Sequence, residues 1–418
     1  MRLNDIGYFG KSIRLSLIFL TLPFLFFSIS SVRAQTGRIC GVIHTRDGEV
    51  LEGPIRWDKN EAFWDDILDA TKETDRGHQY EGRRERHIEI FGLDIRWDED
   101  RSESRSGSGI QFGYLKSLER RSRNRAILEL KNGEKITFYE SGTDIGSGIR
   151  GILIDDPAQG EVELDWDDLD AVNFEECNSA KIEKAEKRLY GTVETERGDK
   201  FKGFVNWDMD ELFYSDILDG EEGGHTRKIP FGKIAAIERR SSSSSWVYMR
   251  NGDKIKLSGS NDVDSGNRGI VVTDPDFGRV TIPWDDFERL DLLDEADKHL
   301  VAYDQFGQIE PLYGVVYDED GKSYEGNIKW DDDETENWEL LNGLYRDLDV
   351  DVEFSQIAKI EKVSSRGVEV TLKKGNRFRL TGSNDVNEDN RGIFVTTKGG
   401  DEIQLDWRDF DHVVFKEK

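Results

Sequence analysis

"GFVNWDMDEL", residues 203–212, ends a strand-like run at Trp207 and then turns acidic at Asp208, Asp210 and Glu211. The chain writes nearly the same thing as "GPIRWDKNEA" (53–62) and "GNIKWDDDET" (326–335). In the third of these runs Tyr324, Gly326, Ile328 and Trp330 alternate with Glu325, Asn327 and Lys329, and in the first Leu51, Gly53, Ile55 and Trp57 do the same. A period of two puts one face on a core and the other in water, which is the mark of a β-strand.

Self-similarity extends outward from these runs. Residues 38–174, 188–293 and 311–416 align as three copies, most clearly where "SGTDIGSGIRGILIDDPAQGEVELDWDDLDAV" matches "SGSNDVDSGNRGIVVTDPDFGRVTIPWDDFERL" and "TGSNDVNEDNRGIFVTTKGGDEIQLDWRDFDHV". Each copy divides again. The interval from Gly198 to Phe231 nearly equals that from Gly252 to Trp284, and Gly321 to Phe354 nearly equals Gly375 to Trp407, so six half-units follow. Gly48, Gly133, Gly198, Gly252, Gly321 and Gly375 stand where a tight hairpin needs positive φ. The spacing of three in Phe231, Ile234 and Ile237, and in Phe112, Leu115 and Leu118, predicts a 3-10 turn leading into a closing strand.

The half-unit, with its strand, Gly turn, bent strand and 3-10 turn, resembles the SH3-like small barrels, the Sm-like ones in particular. Gly198, Phe201, Gly203, Val205 and Asp208 carry the likeness, with Gly321, Tyr324, Gly326, Ile328 and Asp331 in the third copy. The resemblance implies an all-β chain of three two-barrel repeats. "NRGI" at 267–270 and 390–393 falls mid-module, so the RNA-binding role of Sm-like proteins does not transfer. The expected order is a leader at 1–34, repeat one at 35–174 with a charged insertion at about 75–109, a helical linker at 175–187, repeat two at 188–293, a linker at 294–310 that also looks helical and repeat three at 311–418. Halves are joined almost directly and copies through longer segments, which favours three domains in a row over the alternative, a six-bladed propeller.

Arg2, Lys11 and Arg14 precede "LSLIFLTLPFLFFSISS", and Val32 and Ala34 then fit a secretory cleavage site, so residues 1–34 read as a signal peptide. An uncleaved membrane anchor is the competing reading. Beyond residue 34 the chain holds 54 basic against 85 acidic side chains, a net charge of −31. Such a body repels phosphate backbones and anionic head groups. Nucleic acid and inserted membrane are therefore excluded as partners; protein or neutral glycan remains, in the periplasm, on the cell envelope or outside. Cys40 and Cys177 flank the first repeat, and in an oxidising compartment they are expected to pair.

Trp57, Trp207 and Trp330, and Trp166, Trp284 and Trp407 at the closing turns, read as core, because Phe112, Phe231 and Phe354 replace the second set in the other half-units. Asp58, Glu61, Asp208, Glu211, Asp331 and Glu334 are candidate ligands for calcium, against a solvated acidic turn; they lack the EF-hand spacing. Asp144 with Arg150, Asp262 with Arg268 and Asp385 with Arg391 are expected to clamp the Gly-rich loop by a salt bridge. His44, His78, His87, His225, His299 and His412 neither recur between copies nor cluster with cysteine, so no catalytic residue and no cofactor is assigned. The expected function is a non-catalytic, exported scaffold with an acidic interaction surface. A calcium-stabilised adhesion protein is the first alternative, and a glycan hydrolase sited around His78 to Trp97 the second.

Overall fold

Alternation and glycine turns fold this chain into strands almost throughout. The computed structural model describes residues 37–74, 87–90, 93–96, 104–177 and 186–417. Residues 1–36, most of the charged insertion and residues 178–185 of the first linker lie outside the described residues. Repeat one carries β1 (Cys40–Thr45), β2 (Val50–Arg56), β3 (Ile67–Thr74), a separate pair β4 (His87–Ile90) and β5 (Leu93–Arg96), then β6 (Ser104–Gln111), β7 (Leu115–Ser122), β8 (Arg125–Leu130), β9 (Lys135–Tyr139), β10 (Ile152–Asp156), β11 (Gly160–Leu164) and β12 (Leu169–Phe174). Repeat two carries β13 (Tyr190–Thr195), β14 (Lys200–Asn206), β15 (Ile217–Glu222), β16 (His225–Pro230), β17 (Ile234–Ser241), β18 (Ser244–Met249), β19 (Lys254–Ser258), β20 (Ile270–Asp274), β21 (Gly278–Ile282) and β22 (Phe287–Leu292). Repeat three carries β23 (Tyr313–Asp318), β24 (Ser323–Lys329), β25 (Leu340–Tyr345), β26 (Leu348–Glu353), β27 (Ile357–Ser364), β28 (Gly367–Leu372), β29 (Arg377–Thr381), β30 (Ile393–Thr397), β31 (Glu402–Leu405) and β32 (Phe410–Phe415).

The six turn glycines all take positive φ, between 80° and 96°. Single 3-10 turns at Phe112–Tyr114, Phe231–Lys233 and Phe354–Gln356 lead into β7, β17 and β27. The second linker holds two more such turns, Ala296–Lys298 and Tyr303–Gln305, in place of the expected helix.

Every copy forms one open antiparallel ladder with the same order. In repeat two it runs β21-β20-β14-β13-β22-β17-β18-β19-β15-β16, and in repeat one β11-β10-β2-β1-β12-β7-β8-β9-β3-β6. The half-units therefore exchange strands: β14 of the first half pairs with β20 of the second, and β19 of the second with β15 of the first. Among the described residues, two closed barrels per copy, as expected from the sequence, are not formed, nor are six separate propeller blades. The cause is the short joint between halves. Ser241 and Ser244 pair across two residues, so β17 turns straight onto β18 and takes the first strand of the next half instead of its own. Glycine makes the exchange close: a Cβ on Gly203 would lie 1.9 Å from the carbonyl oxygen of Thr273, and one on Gly53 2.0 Å from that of Asp155.

Inside each ladder an edge-on tryptophan pair fills the core. Trp57 meets Trp166 at 6.4 Å, Trp207 meets Trp284 at 6.3 Å and Trp330 meets Trp407 at 6.4 Å between ring centroids, and all six are buried. Burying so large an aromatic contributes several kcal/mol, about 25 cal/mol per Å² of apolar surface. Cys40 and Cys177 are joined as a disulfide that ties β1 to the segment leaving β12. That bond is compatible with an exported protein. No helix among the described residues is long and apolar enough to cross a membrane.

The repeats are not strung out in a row. β21 pairs with β26, which fuses the ladders of repeats two and three into twenty strands, with Arg279 opposite Asp351, Val280 opposite Val350 and Thr281 opposite Asp349. Repeat one packs on both others: Phe63 meets Phe213 of repeat two at 5.5 Å, and the Tyr114 hydroxyl donates to Glu353 of repeat three at 2.7 Å.

Candidate functional site

The acidic turn after each Trp begins with two residues in the left-handed region. Asp58 and Lys59 have φ of 44° and 63°, Asp208 and Met209 49° and 59°, Asp331 and Asp332 45° and 64°. Consecutive positive φ values give the hairpin turn that matches sheet twist, at a cost for residues other than glycine. Here the aspartate is held in place. Its carboxylate is fully buried and accepts the backbone N–H and the guanidinium of an arginine from the Gly-rich loop: Arg150 on Asp58, Arg268 on Asp208 and Arg391 on Asp331. Thr143, Asn261 or Asn384 donates a further bond to the same group.

The clamp therefore differs from the one expected. Arg150, Arg268 and Arg391 close onto the aspartate after the Trp, not onto Asp144, Asp262 and Asp385 six residues earlier. Those three cap a different strand. Their carboxylates accept the N–H of Asp69, Asp219 and Asn342, at 2.7, 2.6 and 2.8 Å, while their carbonyls accept the indole N–H of Trp57, Trp207 and Trp330. Recurrence in the sequence does not choose between the two pairings, since the Asp after the Trp and the Asp in the loop both recur with the Arg in all three copies.

Beside each hub sits a second carboxyl with one buried oxygen that makes no hydrogen bond: Glu61, Glu211 and Glu334. Burial pushes all three upward, and neighbouring acids push the same way, chiefly Asp144 on Glu61, Asp210 on Glu211 and Asp333 on Glu334. Glu211 reaches about 10. Asp144 and Asp385 are likewise raised by burial and by neighbouring carboxylates, and Asp262 to about 6. Burial and like charge both favour the neutral form of these carboxyls. The oxygens of Asp208, Asp210 and Glu211 lie within 4.8 Å of one another, which is close enough to share a cation. Yet Arg268 already bridges Asp208 and Asp210, at 2.8 and 2.5 Å. A guanidinium thus already sits between the two carboxylates.

A third task falls to the carboxylate nine residues beyond the Trp. One oxygen of Asp66, Asp216 or Glu339 caps its own turn by accepting two backbone N–H groups. The same carboxylate takes a cation from another repeat. Arg188 of repeat two enters the first socket, bridging Asp65 and Asp66 at 2.6 and 2.5 Å with its guanidinium 4.2 Å from the Phe63 ring centre. Arg56 of repeat one enters the second, donating to the Asp210 carbonyl and to Asp216, 5.3 Å from Phe213. Lys72 of repeat one enters the third, donating to the Asp333 carbonyl at 2.6 Å and to Glu339, 5.9 Å from Trp338. Carboxylate and aromatic together desolvate and hold each cation. The Asp66 carboxyl still rises to about 6, because burial outweighs Arg188.

Where the three repeats converge, Arg279 of β21 joins them with two bonds to Asp69 of repeat one and one to Asp351 of repeat three, all at 3.0 Å. Two cavities flank it. One of about 580 Å³ is lined by Tyr114, Tyr190, His299 and Glu353, and one of about 430 Å³ by Glu61, Asp144, Arg150 and Arg268. Compared with known proteins, the chain matches no family model and no curated protein.

Proposed function

We propose that this is an exported, non-catalytic β-repeat protein that serves as an acidic scaffold in the cell envelope, with basic protein surfaces as its first class of partner and neutral glycans as its second. One observation supports the reading above others: the same acids perform the same three architectural tasks in every repeat, and the hub and socket charges are met inside the fold. Hub aspartates are met by loop arginines, and socket carboxylates by cations of neighbouring repeats. An enzyme would be expected to set one copy apart with its own constellation. The net charge of −31 beyond residue 34 then leaves an excess of acid for the outer surface, where it steers basic partners.

Expression with the native leader, followed by cell fractionation and photo-crosslinking from exposed positions such as Glu402, tests the reading. Recovery outside the cytoplasm, with crosslinks to a defined partner that weaken when neighbouring surface acids are reversed to lysine, supports it. Retention in the cytoplasm, or turnover of a glycoside by the purified protein, overturns it.

A further inference from the structure

The twenty-stranded ladder of repeats two and three has two ends. Among the described strands, β16 is laddered to β15 and β31 to β30. At its midpoint β21 pairs with β26. Aligned on the Trp or Phe that closes each half-unit, β31 occupies in repeat three the place that β21 has in repeat two, and β16 occupies in repeat two the place that β26 has in repeat three. The outer ends are thus the same two kinds of strand that already join in the middle.

We propose that β31 of one molecule pairs antiparallel with β16 of a second copy of this chain, repeating between molecules the junction that β21 and β26 make within one. The register follows from the internal junction. Arg279 opposes Asp351 there, and the matching positions place Glu402 opposite Lys228, Ile403 opposite Arg227 and Gln404 opposite Thr226. The internal ion pair, 3.0 Å from Nε to the carboxylate, is reproduced with its signs reversed.

Charge selects this pairing over others. His225, Thr226, Arg227 and Lys228 are exposed along β16, and Asp401 and Glu402 are exposed at β31. Two β16 edges would set Arg227 and Lys228 against their own kind, and two β31 edges would oppose acids. Like charges blunt an edge strand against itself while leaving it complementary to the opposite sign. Because the two surfaces differ, the contact is heterologous and extends head to tail instead of closing as a symmetric pair. β11 is the same kind of strand in repeat one and carries Glu161 where β31 has Glu402, but β31 alone continues the existing twenty-stranded ladder.

Sedimentation velocity of the chain from residue 35 onward, over a wide concentration range and at low and high salt, tests the proposal. The wild type is expected to form concentration-dependent chains that weaken with salt. Lys228→Glu alone and Glu402→Lys alone should each weaken association by at least about tenfold, the equivalent of one charge pair. Mixing the two variants, or combining K228E with E402K in one chain, should restore it. Both positions are exposed, and unchanged melting of each variant shows that folding is intact. A wild type that stays monomeric throughout, association that survives both single substitutions, or loss of association in Glu161→Lys but not in E402K would each overturn the assignment.

Discussion

Replacing Asp208 by Asn isolates the charge of the hub from its geometry. Asn tolerates the left-handed backbone and keeps the size of the side chain, so the φ of 49° need not change. What is lost is the charge-assisted pairing with the Arg268 backbone N–H and guanidinium, in a carboxylate that is fully buried. Breaking a buried ion pair from one side costs roughly 3–5 kcal/mol. The Arg268 side chain, however, is 39% exposed and retains Asp210, so water and that second acid recover part of the loss. About 2 kcal/mol remains as the expected destabilisation after this discount for screening. Chemical denaturation followed by tryptophan fluorescence reads it as a lowered midpoint at unchanged slope. A double-mutant cycle with Arg268→Met then asks whether the two side chains act together; a coupling of about 1–2 kcal/mol is expected for residues in one network. A D208N protein as stable as wild type, or a double variant whose losses simply add, would refute the hub.

The raised carboxyls make stability fall with rising pH. For a group whose folded value lies above its unfolded one, the contribution is complete below the unfolded value and lost as pH passes the folded one; this places the loss between about 4.5 and 10 for Glu211 and between about 4 and 7 for Asp69. Denaturation midpoints should therefore be higher at pH 5 than at pH 9, and Glu211→Gln should flatten the difference; an equal or steeper dependence in that variant contradicts the upward shift of Glu211. Lys72→Met strands Glu339, whose side chain is 2% exposed, and should cost about 3 kcal/mol with faster amide exchange over residues 333–340, whereas exchange that is unchanged there would dismiss the socket. Gly203→Ala drives a Cβ into the Thr273 carbonyl and should lower the midpoint well beyond Gly198→Ala, which meets open space and suffers about 1 kcal/mol of backbone strain. Since Arg268 already occupies the Asp208–Asp210 pair, adding chelator or millimolar calcium is expected to leave the melting temperature in place, and a shift of several degrees would restore calcium as a ligand.

Much of the fold could be read from residues whose meaning is local. The six turn glycines, the Phe-led 3-10 turns and the strand alternation depend on a few neighbouring positions, and repetition confirmed each of them within one chain. Strand exchange could not be read, because two half-units with nearly the same sequence offer nearly the same edges, and nothing in the pattern says whose edge a strand will take. Only the two-residue joints at Ser242–Ser243 and their counterparts decide it, by turning the last strand of one half directly onto the first strand of the next. The sockets were hidden for the opposite reason. Their acceptors repeat, but their cations do not: Arg56, Lys72 and Arg188 come from three different positions of the repeat, and the equivalents of Lys72 are Glu222 and Tyr345.

That difference between repeating acceptors and unique donors explains how three like copies assemble in one way only. A socket that recurs could accept any repeat, so specificity must come from the donor, and each donor here is a residue that the other copies lack at the same place or use otherwise. Arg38 stands where Arg188 does, yet it lies 4.7 Å from the Phe213 ring and pairs with Glu186 instead of entering an acid pair. Moving a donor should therefore do more than weaken the assembly. Charge reversal at Lys72, with Glu339→Lys in compensation, keeps the attraction but turns the turn-capping carboxylate into a cation that can no longer accept the Thr335 and Glu336 N–H groups. The swapped pair should fail to restore stability, whereas Glu339→Asp beside the native Lys72, which keeps both functions at shorter reach, should retain part of it. Full rescue by the charge swap would mean that attraction alone holds repeats one and three together, and that the cap and the socket are not one device.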